Sequence, residues 1–327
     1  MTAPIAILGA GAWGTALAVK LAPRFGIALW ARDPAQAEAL RATRRNARYL
    51  PDFVLPHVIH VTAQLNDAVR AAHCVIVATP AAGLKETMAQ LPDQRVPLLW
   101  LCKGFVFEGN DARLPHQSVA ERRRGGWGLL SGPSFAQEVA ANAPTALTLA
   151  GSDIAFAEEW AATLRDDTLR LYASADVAGV EVGGAVKNVL AIATGICDGL
   201  RLGDNARAAL ITRGLAEMSR LAEVLGGRRE TLMGLSGLGD LVLTCTGGLS
   251  RNRQVGLLLA AGKSLPQIQQ ELGHVAEGIF AARAVRQLAA REQIEMPISA
   301  AVYRVLYENM SPRQAVGALL QRGPARE

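Results

Sequence analysis

The sequence predicts an α/β fold with two domains, the first built on a sheet covered on both faces and the second entirely helical. Up to about residue 180, short apolar runs alternate with helical stretches, as in a parallel sheet with crossover helices. Beyond that point the β-like runs stop. The length of 327 residues also exceeds the usual limit of about 250–300 residues for one hydrophobic core. We therefore expect domains at residues 1–180 and 181–327.

The individual elements follow from the same patterns. Apolar runs predict strands at 5–8, 27–30, 74–78, 98–101, 127–130, 146–149 and 169–172. Predicted helices of the first domain lie at about 12–24, 35–44, 63–70, 81–90, 112–121, 134–141 and 153–164. Those of the second lie at 181–199, 204–225, 229–234, 237–243, 251–261, 264–273, 277–290, 297–307 and 311–319. A cleft between the domains is the expected ligand site.

Composition and charge limit the classes of function. With 50% hydrophobic and 19% charged residues the chain is a folded, core-rich protein. The first basic residue, Lys20, follows the uncharged N-terminal segment, whereas a signal peptide would begin with positive charge. The four cysteines form no C-x-x-C pair, which suits reduced thiols, so we expect a cytoplasmic protein. Beyond the N-terminal segment, no apolar run reaches about 18 residues, so we expect no membrane insertion. The net charge of +5 without a basic stripe favours phosphorylated metabolites over nucleic acid.

Gly9, Gly11 and Gly14 form a G-x-G-x-x-G pattern between the first predicted strand and helix. In a Rossmann-type domain these glycines allow a tight turn, the close approach of a pyrophosphate and close packing of the helix. The pattern predicts a dinucleotide cofactor. Arg32 and Asp33 follow the second strand, where an arginine suits the 2′-phosphate of NADP and an acid suits NAD. NADP is therefore favoured and NAD stays an alternative, while Asp33 can instead cap the next helix.

Only five of the 34 basic residues are lysines, and two of them stand out. Lys103 directly follows a predicted strand, and ligands of open α/β sheets bind outside the carboxyl ends of strands. Lys187 lies in residues 180–195, which are apolar on every face and predict a buried helix. Such a lysine can serve as a general acid or base, or it can bridge the two domains through a satisfied salt bridge. The other three lysines are expected at the surface: Lys20, Lys85 and Lys263.

Three further segments carry residue types suited to anions. Residues 131–136 follow a strand and begin a helix, and 237–244 place Asp240 in an apolar, glycine-rich stretch. Residues 250–253 combine a hydroxyl, guanidinium groups and helix-start N–H groups, as a phosphate site would. Ordinary helix capping and surface arginines are the structural alternatives. The scattered histidines and cysteines predict no metal site.

At these residues the chain resembles the bacterial members of the glycerol-3-phosphate dehydrogenase family, almost from end to end. The shared blocks are GAGAWGTALA at 9–18, LWARD at 29–33, SGPSFAQEVA at 131–140, GVEVGGAVKNVLAIATGICDGL at 179–200, NARAALITRGLAEMSRLAEVLG at 205–226, GLGDLVLTCTGGLSRNR at 237–253, VAEG at 275–278 and EMPI at 295–298. The resemblance implies reversible reduction of dihydroxyacetone phosphate to sn-glycerol 3-phosphate with NAD(P)H (EC 1.1.1.94). It also implies a cytoplasmic role in supplying glycerophospholipid synthesis.

The resemblance further implies residue roles. The catalytic residue would be Lys187. Substrate would be bound by Lys103, Gly132, Ser134, Lys187, Asp240, Ser250, Arg251 and Asn252. The cofactor would be bound by Gly9, Gly11, Ala12, Trp13, Gly14, Arg32, Lys103, Ala136, Arg251, Val275 and Glu277. Ala12 departs from the family, in which a serine is common at this position.

Two alternative functions stay open at this point. Another β-hydroxyacid-type dehydrogenase, such as a ketopantoate or 6-phosphogluconate enzyme, would not need the group at 250–253. A catalytically silent NADP-sensing regulator would not need Lys187 and Asp240 in apolar segments. The oligomeric state is also open, with a homodimer as one option.

Overall fold

The computed structural model describes residues 4–92, 95–273 and 276–321. The chain divides into two compact units. The first runs to Val106 and again from Leu114 to Val177, and the second contains Phe107–Arg113 and the chain from Ala178 onward. The expected domain boundary at 180/181 lies close to the observed boundary between Val177 and Ala178. The prediction did not assign the short segment 107–113 to the second unit.

The first unit is built on a sheet that has eight strands within the described residues. The strands of the chain are β1 Ile5–Leu8, β2 Ile27–Trp30, β3 Arg45–Asn46, β4 Leu50–Val54, β5 Ile59–Thr62, β6 Cys74–Val77, β7 Leu98–Trp100, β8 Val106–Glu108, β9 Asp111–Arg113, β10 Trp127–Ser131, β11 Thr145–Gly151 and β12 Leu169–Ser174. The sheet order is β12-β11-β10-β7-β6-β1-β2-β5, while β3 with β4 and β8 with β9 form small separate ribbons.

The part of this sheet from β5 to β10 is parallel and has the strand order of a Rossmann domain. Strand β11 then pairs antiparallel with β10, and β12 pairs parallel with β11. All the predicted strands are present, but β5 at the sheet edge and the short strands of the two ribbons, β3, β4, β8 and β9, were not predicted. A strand at the edge of a sheet can carry an exposed side chain. In β5 the exposed His60 interrupts the apolar pattern by which the other strands were predicted.

Helices cover both faces of a doubly wound sheet of this kind. In the first unit they are α1 Ala12–Leu21, α2 Pro34–Thr43, α3 Leu65–Val69, α4 Ala81–Ala89, α5 Pro115–Ala120, α6 Ala136–Ala140 and α7 Ile154–Leu164. The helix predicted at 112–121 begins only at Pro115, because residues 111–113 form β9.

Lys20 corrects the expectation that it lies at the surface. Its side chain at the end of α1 is buried, with Nζ 3.0 Å from a carboxylate oxygen of Asp166. The same ammonium donates to Asn142 Oδ1 and Thr168 Oγ1. This lysine therefore joins the first helix of the unit to the segment before β12.

The second unit is helical apart from the segment 107–113, so the predicted fold class is confirmed. Its helices are α8 Val177–Gly199, α9 Asp204–Val224, α10 Arg229–Leu232, α11 Asp240–Thr246, α12 Arg251–Ala260, α13 Leu265–Leu272, α14 Glu277–Arg291, α15 Pro297–Tyr307 and α16 Pro312–Leu320. The helix predicted at 237–243 is divided between a π-helical turn over Leu235–Gly239 and α11, which begins at Asp240.

Helix α8 is the core of the second unit. By length and composition it could cross a membrane, but its apolar stretch is 100% buried, as in the central helix of a globular protein. Close packing requires Gly195 at its crossing with α12, because a Cβ there would overlap the Arg253 carbonyl oxygen. The side chains of α8 are thus held on all sides, which sets the position of Lys187.

Candidate active site

The turn between β1 and α1 has the geometry of a dinucleotide site. Gly9 has φ +122°, and a Cβ there would lie 2.9 Å from the Ala78 carbonyl group. A Cβ on Gly14 would overlap the Gly9 carbonyl oxygen. At Gly11, however, a Cβ would meet no atom of the described residues within 4 Å. Internal packing explains two of the glycines, and the open space beside the third fits an approaching pyrophosphate.

The start of α1 is open to an anion. Gly11 is the N-cap residue and provides no side-chain cap, so the first N–H groups of the helix are available to a phosphate. The Trp13 indole donates from Nε1 to the Ser134 carbonyl oxygen at 3.2 Å. This bond ties α1 to the segment that leads into α6 at Ala136, and so gathers several predicted cofactor residues.

Arg32 and Asp33, which follow β2, differ in the contacts that their side chains make. Asp33 is the N-cap of α2, and its Oδ1 accepts a hydrogen bond from the Ala35 N–H at 2.9 Å, as the capping alternative predicted. Arg32 is exposed and forms no hydrogen bond or ion pair with another described residue. Its guanidinium is therefore open to a ligand, whereas the Asp33 carboxylate is engaged.

Lys103, Gly132 and Ser134 converge at the ends of two neighbouring strands. Lys103 follows β7, and its Nζ donates to the Gly132 carbonyl oxygen at 2.8 Å. Ser134 Oγ donates to the same oxygen at 3.0 Å. Parallel pairing of β7 with β10 brings these residues to one edge of the sheet, as predicted for ligand-binding groups.

Two buried hydroxyl groups at this edge lack a partner among the described residues. Thr79 Oγ1 follows β6, and Ser131 Oγ lies at the end of β10. A buried hydroxyl without a hydrogen bond is costly, and such groups mark places where a ligand or water binds. Together with the glycine turn, they show that the first unit fits a dinucleotide cofactor.

In the second unit, Lys187 forms a buried ion pair. Its Nζ contacts Asp240 Oδ1, and it also donates to Thr244 Oγ1 at 2.9 Å. Asp240 is only 1% exposed and is the first residue of α11, while Thr244 lies one turn later. Lys187 thus has a salt-bridge partner, but the pair lies within the second unit, whereas the structural alternative placed it between the domains. The Lys187 Nζ is held between a carboxylate and a hydroxyl, and a lysine ammonium in such a position can give a proton to a substrate.

Cys245 lies in the same apolar surroundings and does not compete in this proton chemistry. Burial raises the pKa of its thiol to about 12, while a hydrogen bond with Thr194 and the charge of Lys187 act in the opposite direction. The thiol therefore stays protonated at neutral pH.

Asn252 connects three helices beside Lys187. Its Nδ2 donates to Asn188 Oδ1 at 2.8 Å, and its Oδ1 accepts from the Gly278 N–H at 2.9 Å. These bonds link α12 to α8 and to the start of α14, the helix that begins at Glu277. Most of the amide of Asn252 is therefore occupied by protein groups, which makes this predicted substrate residue a structural link as well.

The start of α12 presents one open arginine. Ser250 Oγ caps the helix by accepting from the Arg253 N–H at 3.3 Å. Arg251 is exposed and has no hydrogen-bond or ion-pair partner in the described parts of the chain. Arg253, which the sequence analysis grouped with the anion site, instead donates from Nε to Asp198 at 2.9 Å. That carboxylate also pairs with Arg207 at 3.0 Å.

The predicted site residues thus form one group in each unit. The first unit holds Gly9, Gly11, Ala12, Trp13, Gly14, Arg32, Lys103, Gly132, Ser134 and Ala136. The second holds Lys187, Asp240, Ser250, Arg251, Asn252 and Glu277. Val275 lies outside the described residues. Sequence reasoning missed Thr244, because a threonine in an apolar helix resembles an ordinary core residue.

Comparison with known proteins identifies the family. The profile of the NAD-dependent glycerol-3-phosphate dehydrogenase N-terminus matches residues 4–157, and that of the C-terminus matches residues 176–317. The glycerol-3-phosphate dehydrogenase (NAD(P)+) of Dechloromonas aromatica is 55% identical over 99% of both chains. The chain belongs to the NAD-dependent glycerol-3-phosphate dehydrogenase family.

A further relative and a solved structure of the same family also match this chain over nearly its full length. The glycerol-3-phosphate dehydrogenase (NAD(P)+) of Thiobacillus denitrificans is 55% identical over 97% of this chain and 98% of its own. The crystal structure of glycerol-3-phosphate dehydrogenase from Coxiella burnetii has a TM-score of 0.93 at 44% identity, covering 98% of this chain and 99% of that one. Membership of the glycerol-3-phosphate dehydrogenase family confirms an NAD(P)-dependent oxidoreductase and decides against a ketopantoate or 6-phosphogluconate enzyme.

Proposed function

We propose that this chain reversibly reduces dihydroxyacetone phosphate to sn-glycerol 3-phosphate with Lys187 as the proton donor, and that the product supplies glycerophospholipid synthesis. The observation that carries the proposal is the buried ion pair of Lys187 with Asp240. In a family of glycerol-3-phosphate dehydrogenases, a buried lysine whose Nζ is held by a carboxylate and a hydroxyl suits the acid required for ketone reduction.

The chemistry divides between cofactor and protein. Bound NAD(P)H supplies the hydride, which forms a C–H bond at the ketone carbon. Lys187 gives a proton from Nζ to the ketone oxygen, so that the carbonyl becomes a hydroxyl and the lysine becomes neutral. A proton from water then restores the ammonium. In the reverse direction the neutral lysine accepts the hydroxyl proton. Asp240 and Thr244 hold Nζ in place throughout.

The proposal also assigns the residues that bind substrate. Arg251 pairs with the phosphate, because its guanidinium is open while that of Arg253 is neutralised by Asp198. The start of α12 adds N–H groups to the same anion. The other proposed substrate residues are Lys103, Gly132, Ser134, Lys187, Asp240, Ser250 and Asn252.

For the cofactor, the proposal favours NADP over NAD. Arg32 after β2 is exposed and has no ion-pair partner in the described ranges, which suits a 2′-phosphate, and the acid that would bind the ribose of NAD caps α2 instead. The proposed cofactor residues are Gly9, Gly11, Ala12, Trp13, Gly14, Arg32, Lys103, Ala136, Arg251, Val275 and Glu277. We also propose a cytoplasmic location. We further propose a homodimer, and light scattering of the purified protein tests this oligomeric state.

An assay of cofactor oxidation tests the function. The purified chain is given NADPH or NADH together with dihydroxyacetone phosphate, and loss of absorbance at the nicotinamide band is recorded. We expect turnover with dihydroxyacetone phosphate and a higher kcat/KM with NADPH. Ketopantoate and unphosphorylated dihydroxyacetone serve as controls and should give almost none. Equal turnover with and without the phosphate group would contradict the role of Arg251, and no turnover with either cofactor would overturn the proposal.

A further inference from the structure

Two amide side chains hold the turn between β1 and α1 from outside. Asn46, in β3, is 2% exposed, and its Nδ2 donates to the Ala10 carbonyl oxygen at 2.9 Å. The same nitrogen donates to Thr15 Oγ1 at 2.7 Å. Gln36, in α2, donates from Nε2 to the same Ala10 oxygen at 2.7 Å. Two elements beside the turn therefore converge on one carbonyl group inside the glycine pattern.

These contacts determine where the turn directs its N–H groups. The peptide between Ala10 and Gly11 is planar and trans, so its N–H points away from its carbonyl oxygen. Donors that fix the oxygen consequently fix the Gly11 N–H. Thr15 lies in the first turn of α1, and Asn46 thus also fixes the helix start. Gly11, the glycine beside open space, lies between these two points of attachment.

The position of Asn46 is itself fixed by packing. It belongs to the ribbon of β3 and β4, and Leu50 at the start of β4 is buried against Ala16 of α1. Val139 of α6 completes that small apolar cluster. The amide is therefore held in place by the folded protein and is ready before any ligand arrives, as the supporting residues of a binding site must be.

We propose that Asn46, assisted by Gln36, is a positioning residue for the pyrophosphate of the cofactor. It orients the N–H groups of the glycine turn and of the first turn of α1 without contacting the cofactor. Gln36 adds a connection to α2, the helix that follows Arg32 and Asp33. The inference rests on the proposed function only for the identity of the ligand, NAD(P)H.

Binding measurements test this role. Asn46→Ala and Gln36→Met each remove donors from the Ala10 oxygen, and Kd for NADPH and for NADH is measured by fluorescence titration. We expect each single variant to bind about threefold to tenfold more weakly, the equivalent of a neutral hydrogen bond. The factor should be the same for both cofactors, because they share the pyrophosphate. Arg32→Ala, in contrast, should weaken binding of NADPH alone.

A control separates positioning from general destabilisation. Asp153 caps α7 in the same unit by accepting from the Phe156 N–H at 2.9 Å, and it lies outside the glycine turn. Asp153→Ala should lower Tm yet leave both Kd values unchanged. In the Asn46 and Gln36 variants, kcat at saturating cofactor and KM for dihydroxyacetone phosphate should stay within about twofold of wild type. If Asn46→Ala fails to fold, the half-buried Gln36→Met carries the test.

The outcomes are distinct. Wild-type Kd values in Gln36→Met and in a folded Asn46→Ala would overturn the inference, as would a loss of kcat without a change in Kd. If the wild type binds cofactor but does not turn over dihydroxyacetone phosphate, the proposed reaction fails. A higher Kd for cofactor in the variants would then still support the positioning role of Asn46. A wild type that binds neither cofactor would overturn both.

Discussion

At the scale of single residues, two buried lysines have different roles. Lys20 pairs with Asp166 in the first unit, and Lys187 pairs with Asp240 in the second. The apolar helix around Lys187 reveals its burial in the sequence. Nothing around Lys20 does so, because its partner Asp166 lies far along the chain and meets it only in the folded protein. We assign a stabilising role to Lys20 and a chemical one to Lys187.

Asp166 gives a prediction about stability and pH. Burial alone would raise the pKa of Asp166, but hydrogen bonds from Lys20 and from the Leu169 and Thr168 N–H groups lower it below the usual value of 3.8. A lowered pKa in the folded protein means stability that is present above about pH 3.8 and is lost as pH falls further. Asp166→Asn should therefore reduce the free energy of unfolding by about 1–3 kcal/mol at pH 7.

Urea denaturation at pH 7 and at acidic pH measures this effect. The difference between wild type and Asp166→Asn should narrow as the pH is lowered. Asp67→Asn is a matched control, because Asp67 forms an exposed pair with Arg70 and its loss should change stability by less than about 0.5 kcal/mol. A difference for Asp166→Asn that is equal at both pH values would contradict the assignment of the lowered pKa.

At the scale of elements, the anchoring of α12 gives the next prediction. Asp198, near the end of α8, accepts from Arg253 at 2.7 Å and from Arg207 at 3.0 Å. The pair with Arg253 fixes the first turn of α12, which presents Arg251. Asp198→Asn removes the charge that holds this turn. We expect KM for dihydroxyacetone phosphate to rise about tenfold, with a smaller change in kcat.

A neighbouring aspartate supplies the control. Asp204 also pairs with Arg207, at 2.7 Å, but its side chain is 88% exposed. Among the described residues it forms no ion pair with Arg253. Asp204→Asn should therefore leave KM unchanged. Steady-state kinetics of the two variants decide the matter: a rise in KM for both, or for neither, would show that the pair of Asp198 with Arg253 does not position the phosphate site.

The elements also show what the sequence could predict. Buried strands such as β1 and β6 are continuous apolar runs, so their positions can be predicted from the pattern of apolar residues along the sequence. Strand β5 was missed because its edge position tolerates a polar residue. The helix expected at 237–243 divides into a π-helical turn and α11, and the turn packs through Ser236 against Gly183 of α8, a tertiary contact that the local sequence does not show.

The same limit applies to the site. Lys187 and Asp240 could each be predicted, because a charge in an apolar segment is visible in the sequence. Their pairing could not, because it depends on how α8 packs against α11. Asn46 gave no signal, since an asparagine in a short polar segment resembles a turn residue, and only the folded chain brings its amide to Ala10.

At the scale of the whole molecule, the net positive charge and the division into two units both agree with the proposed dehydrogenase function. The net charge of +5 suits small phosphorylated ligands, and open arginines are found at Arg32 in the first unit and Arg251 in the second. The first unit fits the cofactor, and the second holds Lys187, the proposed acid. The central claim is that Lys187 supplies the proton for ketone reduction.

One measurement tests that claim most directly: kcat for reduction of dihydroxyacetone phosphate by Lys187→Met at saturating NADPH, with Kd for NADPH measured on the same sample. Because a proton donor contributes about 10²–10⁴-fold to the rate, kcat should fall by that factor while Kd stays within about twofold. The double variant Lys187→Met with Asp240→Asn, which leaves no unpaired buried carboxylate, should be equally slow. A kcat within about tenfold of wild type in either variant would contradict the account.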